Sequence, residues 1–218
     1  MMKTPCSCVI LAGGLNSRFS GKSKALLKVG DRPILDRICT ALSSLFSELI
    51  LVTNDPQRYS DWPGPIVSDL FPIRSPLTGI HAGLFHMSSL HAFVIACDTP
   101  FVKPALVSRI LEERFCDWDV VIPETADGLQ PLFSVYSRQC LGMIASHLAQ
   151  QLPDTTTDRT LRPALKIQGV FDRLRVRKIP ESALRPIDPE LISFFNINRP
   201  EDLTKAQEWV AAAETGSR

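Results

Sequence analysis

Short, continuously apolar runs alternate with helical periods through the first half of this chain, and that alternation narrows the architecture more than any other feature. Residues 7–11 (SCVIL), 49–53 (LILVT), 66–67 (IV), 92–97 (AFVIAC) and 119–123 (DVVIP) read as buried strands. Residues 33–46 read as a helix: Pro33 suits a first-turn position, and Ile34, Leu35, Ile38, Leu42 and Leu45 share one face. Residues 77–90 and 104–115 read as further helices. Continuous apolar strands separated by helices imply an α/β fold with a mostly parallel sheet covered on both faces. Right-handed crossovers gather the strand ends along one edge, and ligands of open α/β sheets bind outside the carboxyl ends of the strands.

The second half is less regular. Residues 132–136 read as a strand, 140–152 as a helix, 152–160 (LPDTTTDRT) as an exposed loop, 174–179 as a half-exposed edge strand and 199–213 as a closing helix. No domain boundary stands out over the 218 residues.

Charge excludes some functions. Lys and Arg total 24 against 23 for Asp and Glu, a net charge of +1. That balance argues against a protein held mainly by the charge of a nucleic-acid backbone, while a local basic loop could still grip a small anion. The apolar run at 8–12 is too short for a secretory signal, and no stretch approaches the roughly 18 apolar residues of a membrane span. The expectation is a cytoplasmic protein with no membrane or nucleic-acid partner. Six cysteines with no CxxC pair read as reduced, buried thiols. The Cys6-Ser7-Cys8 pair is a weak metal signal without a second pair.

The chemistry-bearing residues cluster where the strands end. After the first strand comes LAGGLNSRFSGKSK, residues 11–24. Glycines let backbone N–H groups surround a phosphate. From Arg18 to Lys28 there are four basic residues and no acidic one, a lining suited to a triphosphate. Gly21-Lys22-Ser23 ends like a P-loop, but the glycine required five residues earlier is Asn16. A GxGxxG dinucleotide fingerprint is absent. Asp69 and Asp98 directly follow apolar strands, so each can face the ligand crevice. Either could instead form a turn, before Pro72 or Pro100. Magnesium favours one or two carboxylates completed by water and phosphate oxygens, which makes Asp98 the candidate metal ligand.

Other chemistries are not encoded. His81, His86 and His91 are five residues apart, which turns each by about 140° around a helix, so they share no face. No GxSxG elbow occurs. A phosphate nucleophile is already anionic near neutral pH, so nucleotidyl transfer needs positioning and charge neutralisation more than a side-chain nucleophile.

The pattern resembles the molybdenum cofactor guanylyltransferase family, within the nucleotidyltransferases of Rossmann-like, three-layer fold. The resemblance rests on Leu11-Ala12-Gly13-Gly14 with Arg18, Gly21 and Lys24, on Lys24-Ala25-Leu26-Leu27, and on Ser75-Pro76-Leu77-Thr78-Gly79-Ile80. It continues in Cys97-Asp98-Thr99-Pro100 and Gln130-Pro131-Leu132-Phe133, and closes with Asn196-Ile197-Asn198-Arg199-Pro200-Glu201-Asp202-Leu203. It runs from residue 8 to about 210, with 150–190 poorly covered.

The resemblance implies one nucleotidyltransferase domain over 1–218, with a nucleotide-binding half at 1–125 and an acceptor-binding half at 126–218. GTP would bind through Leu11, Ala12, Gly13 and Gly14, with Lys24 and Arg18 serving its phosphates and Asp69 touching the nucleotide. Asp98 would hold Mg2+. The terminal phosphate of molybdopterin would attack the α-phosphate, pyrophosphate would leave, and molybdopterin guanine dinucleotide would form. Molybdopterin-handling proteins are conceivable partners. Asn196 and Asn198 resemble positions that face the acceptor, although Asn198-Arg199-Pro200-Glu201 also has the spacing of a helix N-cap. The family's asparagine contact falls on Val52 or Asn54. Asn54 can hydrogen-bond through its side chain, while Asn54-Asp55-Pro56 also reads as a turn. Ser23 in place of an acidic residue, Phe19-Ser20 in place of Met-Gly and Thr78 in place of alanine depart from the family pattern. Cytidylyl transfer to the same acceptor, nucleotidyl transfer to a sugar or alditol phosphate, and a non-catalytic nucleotide-binding adaptor are the competing readings.

Overall fold

The computed structural model describes residues 5–13, 19, 23–115, 117–152 and 167–215. Its strands and helices are, in chain order, β1 (Ser7–Leu11), β2 (Lys28–Val29), β3 (Arg32–Pro33), α1 (Ile34–Leu42), β4 (Leu49–Val52), β5 (Ile66–Val67), α2 (Pro76–His86), β6 (His91–Ala96) and α3 (Pro104–Glu112). There follow β7 (Val120–Thr125), β8 (Gly128–Leu129), β9 (Phe133–Ser137), α4 (Cys140–Gln150), β10 (Val176–Pro180), α5 (Glu181–Leu184) and α6 (Pro200–Thr215).

The main sheet runs β10-β7-β9-β6-β1-β4-β5, with β8 paired to β7 as a hairpin. β1 lies between β6 and β4 and is parallel to both. β9 is antiparallel to its neighbours β6 and β7, and β10 closes one edge parallel to β7. The sheet is therefore mixed at its second half, where the chain arrives through a hairpin rather than a helical crossover.

Alternation along each strand divides the core into two layers. Cys8 and Ile10 of β1 face the side covered by Ile34, Ile38 and Leu42 of α1 and Leu106, Val107 and Ile110 of α3. Val9 faces the other side, with Leu77, Ile80 and Leu84 of α2 and Ile144 and Leu148 of α4. Each such burial contributes about 1.5–3 kcal/mol. At Gly83 an added Cβ would stand 2.3 Å from Val9 Cγ1 and 3.1 Å from Val9 Cβ, so α2 packs against β1 at a distance only glycine permits.

Several expected boundaries moved. The first helix starts at Ile34 because Pro33 pairs with Lys28 in the β2–β3 hairpin, and it stops at Leu42, which leaves Leu45 beyond its end. α2 starts one residue early, at Pro76, where the Ser75 side chain accepts from the Leu77 N–H, and it ends at His86 because Met87 turns extended. The edge strand begins at Val176. Most of the expected 152–160 loop, together with Gly14 and Arg18, lies outside the described residues.

Candidate active site

The carboxyl ends of β1, β6, β4 and β5 carry the candidate residues. Ala12 is buried, and its N–H extends the β1–β4 ladder to Val52 O at 2.8 Å. Leu11 is half-buried and its carbonyl accepts the Cys97 N–H. Gly13 is exposed, with open space where a Cβ would point, so a ligand could approach its backbone.

Lys24 opens a short 3₁₀ turn, Lys24–Leu26. The preceding Ser23 is buried, with Oγ 2.6 Å from the Tyr59 hydroxyl. This contact anchors the loop to the segment after β4, where an acidic side chain would be buried against a phenol. Lys24 Nζ donates to Asp98 Oδ2 at 2.9 Å and to Asn198 Oδ1 at 2.8 Å. One ammonium thus joins the loop after β1, the end of β6 and the segment before α6.

Asp98 lies two residues past β6, with its side chain 16% exposed. Its carbonyl accepts the Ile197 N–H at 2.9 Å, and the neighbouring Thr99 Oγ1 lies 3.1 Å from Asn196 Oδ1. Asn196 and Asn198 therefore reach the same edge as Asp98. The N-cap reading of Asn198 does not hold. The Asp202 carboxylate, not Glu201, accepts the N–H groups of Asn198 and Arg199, at 2.9 and 2.8 Å, leaving the Asn198 side chain to Lys24.

Asp69 and Asn54 form a separate pair. Asn54 Nδ2 donates to Asp69 Oδ2 at 2.7 Å, and Asn54 Oδ1 accepts the Asp69 N–H at 3.0 Å. Burial raises the Asp69 carboxyl above its ordinary pKa, and the Asn54 bond opposes that rise. β5 and β6 are three strand spacings apart in the sheet order, about 14 Å, so Asp69 and Asp98 are not placed to share one ion.

Among the described residues no three His, Cys, Asp or Glu side chains gather as a metal site. The donor chemistry at Asp98 suits a hard cation that draws its remaining ligands from water and phosphate: one carboxylate oxygen at the crevice, already facing a cationic group at 2.9 Å. Cys6 and Cys97, by contrast, are buried thiols pushed up to about 12 by desolvation. Cys8 is buried and raised well above its ordinary range.

Beside Asp98 opens a pocket of about 240 Å³ lined by Gln130, Pro131, Phe194, Asn196 and Asn198, among others. Phe194 packs edge-on to Phe133 with ring centroids 4.9 Å apart. The Tyr136 hydroxyl donates to Pro131 O at 2.8 Å, which braces the Gln130–Pro131 wall. Sequence reasoning missed Phe194, the Ser23–Tyr59 contact and the Thr99–Asn196 contact. Each joins segments far apart in the chain, and only the adjacency of Thr99 to Asp98 could have hinted at one of them.

A family described as "MobA-like NTP transferase domain" matches residues 8–166. The chain belongs to this MobA-like NTP transferase family. It is 40% identical, over 94% of its length and 95% of the relative's, to the molybdenum cofactor guanylyltransferase of Desulfosudis oleivorans. A probable molybdenum cofactor guanylyltransferase of Natranaerobius thermophilus is 33% identical over 95% of this chain and 98% of that protein. The crystal structure of molybdopterin-guanine dinucleotide biosynthesis protein A from Archaeoglobus fulgidus superposes with a TM-score of 0.79 at 27% identity, covering 94% of this chain and 99% of that one. As a MobA-like NTP transferase the chain is a nucleotidyltransferase of Rossmann-like α/β fold. No helix among the described residues is long and apolar enough to cross a membrane.

Proposed function

We propose that this chain transfers GMP from GTP to the terminal phosphate of molybdopterin, giving molybdopterin guanine dinucleotide and pyrophosphate. The observation that carries the reading is the contact of Lys24 Nζ with both Asp98 and Asn198. It sets the loop suited to phosphates against the pocket suited to an acceptor.

In this reading the backbone of Leu11, Ala12 and Gly13, continued through Gly14, approaches the nucleotide, and the Asn54–Asp69 pair flanks it on the β4–β5 side. Asp98 holds Mg2+, which when bound would neutralise phosphate charge. Lys24 and Arg18 supply further positive charge to the phosphates. Asn196 and Asn198 orient the acceptor in the pocket beside Asp98. An oxygen of the acceptor phosphate forms a bond to the α-phosphorus. The bond from that phosphorus to the bridging oxygen breaks, and pyrophosphate leaves with the electron pair. No proton needs to be removed from the nucleophile, so positioning and electrostatic stabilisation suffice.

The test is incubation with purified molybdopterin, magnesium and each NTP in turn, with the product read by mass. Molybdopterin guanine dinucleotide is the expected product. A cytosine dinucleotide, transfer only to a sugar or alditol phosphate, or nucleotide binding without pyrophosphate release would replace this reading.

A further inference from the structure

At the opposite edge of the sheet, where β6, β7 and β10 begin and β9 ends, lies a second pocket of about 410 Å³. It is lined by Arg114, Arg138 and Arg175 with His91, Trp118 and Gln139, and also by Leu90, Asp117 and Ser137. β6 alone separates it from the Asp98 edge by about 17 Å.

The three guanidiniums are held in place by the fold. Arg138 Nε donates to Ser89 O at 3.1 Å, and its Nη2 donates to Ser89 O and Met87 O. Arg175 Nε and Nη2 donate to the two Asp119 oxygens at 3.3 and 3.1 Å, and Nη2 reaches Gln139 Oε1 at 3.5 Å. Arg114, 9% exposed, donates from Nη1 to Leu111 O at 2.6 Å. The Nη1 groups of Arg138 and Arg175 make no hydrogen bond to described residues. Two fork positions on fixed guanidiniums therefore remain for a ligand.

Asp119 is ion-paired with Arg175, whereas the Arg138 guanidinium is held by backbone carbonyls and pairs with no carboxylate among the described residues. Burial first, and then the Arg114 charge, hold the His91 pKa below the ordinary imidazole value. Fixed guanidinium forks match the paired oxygens of phosphate or carboxylate, and the half-exposed Trp118 offers an apolar wall beside them.

We propose that this arginine pocket binds a small molecule through a phosphate or carboxylate group, at a site separate from the nucleotidyl-transfer edge. The test follows the ring resonances of the histidines by NMR, at fixed pH and ionic strength, during separate titrations with inorganic phosphate and with succinate. The expected result is a saturable movement of His91 with at least one of them, and with the tighter of the two if the site prefers one group. The movement should persist in Lys24→Met, which separates it from the catalytic edge. In Arg175→Met, a change at a half-exposed side chain, affinity should fall about tenfold through loss of a charged hydrogen bond. Gln139→Glu, at an exposed position, should weaken binding without touching the core. No saturable movement with either anion, an equal response to chloride, unchanged affinity in both pocket variants, or loss of the response in Lys24→Met would overturn the proposal.

Discussion

Lys24 Nζ stands 2.9 Å from Asp98 Oδ2, joining residues 74 positions apart at the mouth of the crevice. Both side chains keep some exposure, 20% and 16%, so the pair is worth little to stability, about 1 kcal/mol or less. In the proposed mechanism its significance lies in reactivity, because the ammonium and the carboxylate are held together where phosphate charge would be neutralised. Lys24→Met should lower kcat about 10²–10³-fold, the size of effect seen when one electrostatic stabiliser is removed. The melting temperature should hardly change. Normal turnover in this variant would remove Lys24 from the mechanism.

Asp98→Asn keeps the shape and a hydrogen-bond acceptor for Lys24 but removes the charge that suits a divalent ion. Pyrophosphate release should fall to background, with circular dichroism unchanged. Raising magnesium should restore little activity, since one carboxylate is the ligand proposed here.

In the proposed mechanism Asn198 and Asp202 divide one segment between acceptor binding and stability. Asn198→Ala removes the side chain that meets Lys24, and should raise KM for the acceptor more than KM for GTP. Asp202→Ala removes the carboxylate that accepts the N–H groups of Asn198 and Arg199, and should cost about 1 kcal/mol of stability. Steady-state kinetics with each substrate varied, beside thermal melts of both variants, checks the division.

Asp188 anchors the chain that carries Phe194, Asn196 and Asn198. Its fully buried carboxylate lies 2.7 Å from Lys103 Nζ and accepts the Ser193 N–H at 2.9 Å. Burial alone would raise its pKa, but the bonds from Lys103 and Ser193 outweigh burial and hold it below 3.8. A depressed folded-state pKa stabilises fully above the unfolded value and is lost as pH falls through the folded value. Asp188→Asn should therefore cost about 1–2 kcal/mol at neutral pH. Its deficit against the parent should shrink below pH 3.8 in denaturant melts. A deficit that does not vary with pH would mean that the charge contributes nothing.

Gly83→Ala tests the close approach of α2 to β1. Alanine favours helix by about 1 kcal/mol over glycine, but the clash with Val9 should cost about 1–3 kcal/mol and leave a net loss. Because Val9 Cβ itself stands 3.1 Å away, rotating the valine does not relieve the contact fully. Val9→Ala removes the nearest methyl groups, so the double variant should lose less than the sum of the singles in urea melts.

The local readings that succeeded rest on periodicity and on residue type at strand ends. The run SCVIL became β1 with the bounds expected of it, and Asp98 and Asp69 follow strands as expected. Apolar alternation is a property of neighbouring residues, so the chain alone determines the layers and the edge proposed to bind ligands. It also carries the glycine-rich, basic stretch from Leu11 to Lys24 proposed to serve phosphates. What pairs with what was decided only in three dimensions. Asn198 had the local spacing of a cap, yet Lys24, 174 residues away in sequence, takes its side chain. The antiparallel insertion of β9 and the gathering of three arginines at the far edge likewise depend on strand order. Hydrogen bonds and ion pairs act over a few ångströms of space regardless of separation along the chain, so sequence proposed the functional groups and packing chose their partners.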